Sequence, residues 1–420
     1  MSERPLRFCM VTTFYPPHHF GGDAAYVHRL STELVRRGHE VTVVYPPDAY
    51  TALGGAPVQE QGDDRVRVHR LCTRLRALTP TVSYLTGRPA LRARELRRVL
   101  EGGDFDVVHF HNVSLVGGPG VLSYGGGVKL YTTHEHWLVC PMHVLWKNNR
   151  RPCDVPRCLR CTLAFHRPPQ LWRYGRLLNR SAAGVDLFLS PSRFTIRMHR
   201  DRGFAFPMRH LPYFVPMHDV PAVDPEERRQ PYVLVVARLE RLKGIDTAVE
   251  AFRRYDAANL LVVGTGTHGG ELRKLADGAA NIEFLGRRPF HELQALYAGA
   301  VAVLQPSVGY ETFGITPLEG FAQRTPAIVR DLGPLPELIE ESGAGFTYRT
   351  NDELIGHLGH LQDDGRLRDE LGAKGRRAYE ERWSEEPHLK AYFAAIDEAR
   401  ILRQSRAADK EGVNSRRRKA

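Results

Sequence analysis

From Leu6 onward the chain alternates short, apolar, β-rich runs with amphipathic helical ones, stops at a run of prolines, and then resumes the same alternation. That doubled pattern constrains the fold more than any other feature. Strand–helix–strand units close as parallel sheets with helices on both faces, and a restart after a linker calls for a second sheet. In the first half, strands are expected at 6–13, 39–45, 66–71, 106–111, 128–133 and 186–190, with helices at 24–37, 90–100 and 194–202. Gly38 closes the first helix. Pro212, Pro216, Pro221, Pro225 and Pro231 mark the linker. Strands then follow at 232–237, 259–264, 282–285, 300–305 and 327–329, with helices at 245–255, 271–279, 290–298 and 315–323. Helical stretches run from 352 to 403, and GVNSRRRKA reads as a disordered basic tail. The expected organisation is an α/β chain with a first domain at 1–214, a second at 215–383, a C-terminal helix at 384–405 and a tail at 406–420. A length of 420 residues fits two domains of about 200 residues each.

The net charge of +11 points to anionic partners: nucleotides, acidic membrane surfaces or nucleic acid. Nucleic acid fits least, because no reader motif accompanies the charge. No apolar run has the length needed to cross a bilayer, and MSERPLRFCMVTTF runs into a strand without an apolar signal core. A soluble cytoplasmic chain is expected. Six cysteines without an export signal argue against a disulfide framework.

Ligands of open α/β sheets sit beyond the carboxyl ends of the strands. Gly21-Gly22 follows the first strand, Asn112 ends HFHN, His134 ends VKLYTTH, Arg238 ends VLVVAR, Gly264-Thr265-Gly266 ends LLVVG, and Glu311 follows VLQPS. One cleft between the two halves would collect them. In ETFGITPLE, seven residues separate Glu311 from Glu319 across an expected helix start, where Pro317 fits only the first turn. Free N–H groups of that turn favour an anion, while Glu319, about a turn further in, suits vicinal hydroxyls. A sugar nucleotide offers both. Alone, the segment reads equally well as a strand-to-helix turn with two solvated glutamates.

Taken together, YPPHHFGGDAAYVHRL, DVVHFHN, TTHEHW, SPSRF, ARLERLKGID, VGTG, FLGRR, ETFGITPLEG and TPAIVRDLGPLPELI stand in an informative order and spacing. From about residue 5 to 385 the chain resembles the retaining glycosyltransferases of family 4. The resemblance implies the GT-B fold, two Rossmann-like domains facing a cleft, the first mainly for the acceptor and the second for the nucleotide-sugar donor. It also implies transfer with retained anomeric configuration and no cofactor required for catalysis. By matching motif, Arg238 and Lys243 would bind the donor diphosphate, Glu319 the ribose hydroxyls and Glu311 a hydroxyl of the donor sugar. Phe313, Gly314 and Ile315 would offer backbone N–H groups. Gly264 and Gly266 would form the donor loop, and Gly22 would let the first-domain loop approach the diphosphate. His134 would lie against the sugar and stabilise charge at its anomeric centre. Fixed cations at a departing diphosphate stabilise the transition state more than the ground state, in keeping with the roles of Arg238 and Lys243. His109 and His111 project to one strand face, His109 as packing and His111 as the acceptor-side candidate. The chain departs from its relatives at LPYFVP, where an Asn-Gly turn is usual, and at Gln323-Arg324, where a glycine is usual.

Asp104 and Asp106 form an Asp-x-Asp pattern, but at the amino end of a strand, away from the cleft, which argues against metal binding there. Cys140, Cys153, Cys158 and Cys161 crowd a non-periodic loop directly after the His134 motif. Only the last pair has C-x-x-C spacing, so a structural Zn²⁺, packed free thiols and a redox disulfide all remain open. Between Arg65 and Arg98, ten arginines and one glutamate interleave with Leu75, Leu78, Tyr84, Leu85, Leu91 and Leu96. This pattern suits a peripheral face on the inner side of an anionic membrane, and equally a solvated arginine-rich surface.

The leading expectation is a transferase that takes a sugar from a UDP-, GDP- or ADP-sugar to a glycan or lipid-linked acceptor. A nucleotide-sugar 2-epimerase would share fold and donor but turn over without an acceptor. A dinucleotide oxidoreductase would need Gly-x-Gly-x-x-Gly after the first strand, where FYPPHHFGG stands. A non-catalytic basic membrane-surface protein on the same fold would have no need of Lys243, Glu311 and Glu319 together.

Overall fold

A computed structural model describes residues 4–55, 65–73, 75, 78–216 and 230–419, with side chains to residue 409. Pro221 and Pro225 of the expected linker, and Arg74 and Arg76 of the basic region, lie outside the described residues. The first domain supplies strands β1 (Arg7–Val11), β2 (Glu40–Tyr45), β3 (Arg67–Arg70), β4 (Val107–Phe110) and β5 (Val128–Thr132). The cysteine loop adds a two-residue hairpin, β6 (Trp146–Lys147) and β7 (Arg151–Pro152), before β8 (Leu187–Ser190) and β9 (Met208–His210). Apart from the hairpin these strands form one parallel sheet in the order β3-β2-β1-β4-β5-β8-β9. The second domain contributes β10 (Tyr232–Val236), β11 (Asn259–Val263), β12 (Ile282–Gly286), β13 (Ala302–Gln305), β14 (Ala327–Arg330) and β15 (Gly345–Tyr348). They form a second parallel sheet, ordered β12-β11-β10-β13-β14-β15. In β4, β5 and β8 every residue is buried, as helices on both faces demand, and the segments are largely apolar rather than alternating, with His109 and Lys129 buried among them.

The helix Gly22–Arg36 ends as expected, with Gly38 in the left-handed region at φ +86° and its N–H on Val35 O. Two edge strands, β9 and β15, escape the periodicity argument. Their sequences, MRH and GFTY, are short and mostly half-buried.

After the helices Asn351–Asp363 and Gly365–Ala378, capped by Thr350 and Asp364, a π-turn at Tyr379–Trp383 sends the chain back. The last helix, Glu385–Lys419, packs on the first domain. Tyr392 stacks on His109 and Phe8, with ring centroids 5.5 and 6.3 Å apart, and its hydroxyl meets His109 Nδ1 at 2.9 Å. The helix does not end at 405, where a disordered tail was expected to begin. Arg406 donates to Ala183 O at 2.9 Å and Val185 O at 3.0 Å and pairs with Asp186, so the first basic residue that read as tail is docked, beside Arg403 of the expected helix, which donates to Gly126 O. Where this return meets the inter-domain linker, Val215 N donates to Trp383 O at 3.2 Å and Tyr379 OH to Val215 O at 2.9 Å.

Candidate active site

In the second domain two loops at strand ends lie backbone against backbone. Gly264 has φ +138°, and a Cβ there would stand 1.9 Å from Ala237 O; at Gly266 it would stand 2.4 Å from Leu239 O. Leu239 N donates to Thr265 O at 3.0 Å, which locks the pair of loops and sets Arg238 at the surface, bonded to Glu240 at 2.8 Å. The next turn, Arg241–Lys243, ends on Gly244 at φ +63°, where a Cβ would meet Pro306 O at 2.2 Å. That close approach brings Lys243 to the end of β13. Its Nζ donates to Glu311 Oε1 at 2.7 Å, and Ser307 Oγ donates to the same oxygen at 2.6 Å. Burial pushes the Glu311 carboxyl up, but the Lys243 ammonium and bonds from Ser307 and Gln305 overcome it and hold the group below the usual carboxylate range.

The helix Ile315–Ala322 starts on Gly314 at φ +131° with no side-chain cap, which leaves first-turn N–H groups for an anion. Glu319 accepts from Tyr297 OH at 2.7 Å and lies 3.9 Å from Arg29, which reaches across from the first domain. Burial raises its carboxyl, and Arg29 and Tyr297 offset only part of that. The two carboxylates therefore differ in kind: Glu311 is fixed as an anion by a cation, and Glu319 is a poorly solvated acceptor.

On the first-domain side, a Cβ at Gly22 would stand 3.2 Å from Ile315 Cδ1, so the two expected loops do meet. His134 lies here too, but both its ring nitrogens are engaged, Nε2 with His111 Nδ1 at 2.8 Å and Nδ1 with Tyr213 OH at 2.6 Å. Burial pushes its pKa down to about 4, so the ring is neutral at neutral pH. Its carbonyl accepts from Thr312 Oγ1 at 3.1 Å, next to Glu311. His111 is not on an acceptor face. It is buried behind His134, because the face it shares with His109 turns toward the core and the returning helix. His109 packs as expected. Ser192 Oγ donates to Thr312 O at 2.7 Å and Arg197 to Glu337 at 2.8 Å, while Phe194 packs on Tyr310, drawing the SPSRF segment onto the donor side.

The four clustered thiols line one small cavity of about 20 Å³. Among the described residues, no three His, Cys, Asp or Glu stand in an arrangement that could hold a metal ion, so of the open readings of Cys140, Cys153, Cys158 and Cys161 a zinc site is not preformed. Some of the sulfurs have other partners: N–H groups of Leu145 and Met142 bond Cys140, and Asn148 N donates to Cys161 Sγ at 3.3 Å. In the basic region, Arg92 and Leu96 are buried rather than surface-exposed. Arg92 pairs with Asp48 and donates to Leu115 O at 3.2 Å. Arg94, Arg97 and Arg98 remain outside, with Leu75, Leu78, Leu85 and Leu91 each about half exposed.

Residues 220–378 match the family model Glycosyl transferases group 1, and residues 20–217 match Glycosyltransferase Family 4. A GDP-mannose-dependent alpha-(1-6)-phosphatidylinositol monomannoside mannosyltransferase of Mycobacterium tuberculosis is 27% identical over 410 residues, covering 90% of this chain and 94% of that one. A GDP-mannose-dependent monoacylated alpha-(1-6)-phosphatidylinositol monomannoside mannosyltransferase of Corynebacterium glutamicum is 29% identical over 231 residues, which span 49% of this chain and 61% of that one. The solved sucrose-phosphate synthase of Thermosynechococcus elongatus superposes with a TM-score of 0.67 at 19% identity, covering 96% of this chain and 100% of that one. With both halves matched, the two-sheet GT-B architecture in place and Lys243, Glu311 and Glu319 gathered on one domain, the chain belongs to glycosyltransferase family 4.

Proposed function

We propose that the chain transfers a sugar from a nucleoside-diphosphate sugar to a glycan or lipid-linked acceptor, with retained anomeric configuration and without a metal. The observation that carries this reading is the Lys243–Glu311 pair held beside the uncapped start of helix Ile315–Ala322. There the diphosphate meets Lys243, Arg238 and free N–H groups, the ribose meets Glu319, and the sugar meets Glu311. The anomeric carbon–diphosphate bond breaks, the acceptor oxygen bonds the same face, and the acceptor proton leaves on a phosphate oxygen. No side-chain base is assigned, since His134 has both nitrogens occupied. The names of the two mannosyltransferase relatives favour a GDP-sugar and a lipid-borne acceptor. NMR of the product formed from a panel of nucleotide sugars in the presence of EDTA tests all of this. The product should keep the donor's anomeric configuration. An inverted product, absolute dependence on Mg²⁺ or Mn²⁺, or donor epimerised without an acceptor would each defeat the reading.

The lipid-borne acceptor implies contact with a membrane surface. No helix among the described residues is long and apolar enough to cross a bilayer. Exposed Arg94, Arg97 and Arg98, together with the half-exposed Leu78, Leu85 and Leu91 of the same region, would bind anionic headgroups by charge plus buried apolar area. Sedimentation with anionic vesicles should show binding that weakens at high salt and falls in the triple Arg→Glu variant. Unchanged binding in that variant removes this surface as the anchor.

A further inference from the structure

The cysteine loop forms one wall of a second basic site. Its hairpin turn, Asn148, Asn149 and Arg150, and the helix residues Arg160 and Ala164 stand opposite Arg241 of the second domain around an open cavity of about 500 Å³. Arg241 lies on the same turn as Lys243, so the cavity adjoins the donor-phosphate end of the cleft. Among the described residues, three arginines and two asparagines line it, and no carboxylate does. Arg241 is partly offset by Glu271 at 2.8 Å. Arg150 and Arg160 have no side-chain partner among the described residues, whereas Arg151 pairs with Asp154, Arg173 lies over the Trp172 ring and Arg202 donates to Cys153 O. Asn148 and Asn149 hold left-handed backbone, φ +52° and +58°, a conformation asparagine tolerates, and so fold the turn that places Arg150 at the rim. Like charges gathered around an empty space repel one another, and an oxyanion seated among them reverses the sign of that term. Guanidinium groups fit a phosphate better than any other side chain, through paired N–H donors in one plane.

We propose that this cavity is an anion site separate from the donor diphosphate, and that it receives a phosphate group carried by the acceptor. The inference rests on the transferase reading, with the first-domain wall serving the acceptor. Inorganic phosphate is the probe, titrated into the full chain by calorimetry after the donor site has been saturated with the best-binding nucleoside diphosphate. One phosphate site is expected, weakened about tenfold or more in Arg150→Ala/Arg160→Ala. Donor hydrolysis and nucleoside-diphosphate affinity should be unchanged in that variant. Absence of phosphate binding to the nucleotide-saturated wild type, or equal binding by the double variant, overturns the proposal. Loss of binding to anionic vesicles with no change in phosphate binding overturns it too, in favour of a lipid surface. Failure to bind or hydrolyse any nucleotide sugar is a different result, one that strikes the transferase reading itself.

Discussion

Replacing Lys243 by alanine should lower the rate of sugar transfer by about 10² to 10³, equivalent to about 2.7–4 kcal/mol of transition-state stabilisation. The reason is positional. Lys243 is fixed by the 2.7 Å bond to Glu311 at the mouth of the uncapped helix, where charge builds on the leaving diphosphate as the glycosidic bond breaks. Its loss also strands a buried carboxylate. Burial raises Glu311 and the ammonium pulls it down, so without the ammonium burial dominates and the carboxyl rises. The native group sits below its unfolded value, so its stabilising contribution is present above that value and is lost as pH falls through the folded one. In Lys243→Ala that contribution should be gone, and the acid limb of the rate profile should shift upward as Glu311 takes up its proton at a higher pH. Steady-state kinetics across the acid range with the best donor checks both parts. Full activity in the variant would sink the assignment; reduced activity with an unmoved acid limb would leave Lys243 in place but remove Glu311 from the reacting set.

Gly264→Ala should be among the most destabilising single substitutions in the second domain. A methyl group there would stand 1.9 Å from the Ala237 carbonyl oxygen, on backbone at φ +138° that side-chain-bearing residues rarely adopt. Neither atom is the free end of a side chain, so the two loops must separate. The expected cost is about 3 kcal/mol or more, at the upper end for a point substitution. Gly270, inside the helix Gly269–Leu275, has open space around its Cβ position, and Gly270→Ala should be neutral or stabilising by about 0.5–1 kcal/mol. Urea midpoints of the two variants should therefore move in opposite directions or differ widely. Nucleoside-diphosphate affinity should fall only in Gly264→Ala, because the loop it displaces carries Arg238. Equal midpoints would mean that the loops relax freely and do not hold the donor site.

The parts of the fold that were legible in the sequence are those whose local pattern has a single cause. Fully buried strands such as β4, β5 and β8 read as largely apolar runs, and helices closed by glycine read from their ends. Strands β9 and β15 carry no such pattern, because an edge strand of three or four residues buries too little to impose one. Lys243, Glu311 and Glu319 were readable because they stand in short motifs, KG and ETFGITPLE, whose order and spacing match the family, Glu311 also following a strand end. Their partners were not: Arg29 reaches Glu319 from a helix in the other domain, and Tyr297 and Ser307 carry no motif of their own. Strand period placed His109 and His111 on one face correctly. It could not say that the face turns inward, since the helix that covers it comes from the far end of the chain. Arg92 shows the same limit for charge counting, where one of ten arginines proved to be a core residue.

The returning helix also bears on how the molecule is made. Tyr392, His388 and the residues around them complete the face of the first domain formed by Phe8, Tyr26 and His109, so that face gains its cover only from the last part of the sequence. During synthesis the first domain leaves the ribosome early, yet it must wait through the whole of the second with an aromatic surface bare. A fragment ending at the linker would carry that bare surface permanently. The order of translation and the order of burial run opposite ways, and a nascent chain of this kind is most exposed to chaperones and to aggregation just before its final helix emerges.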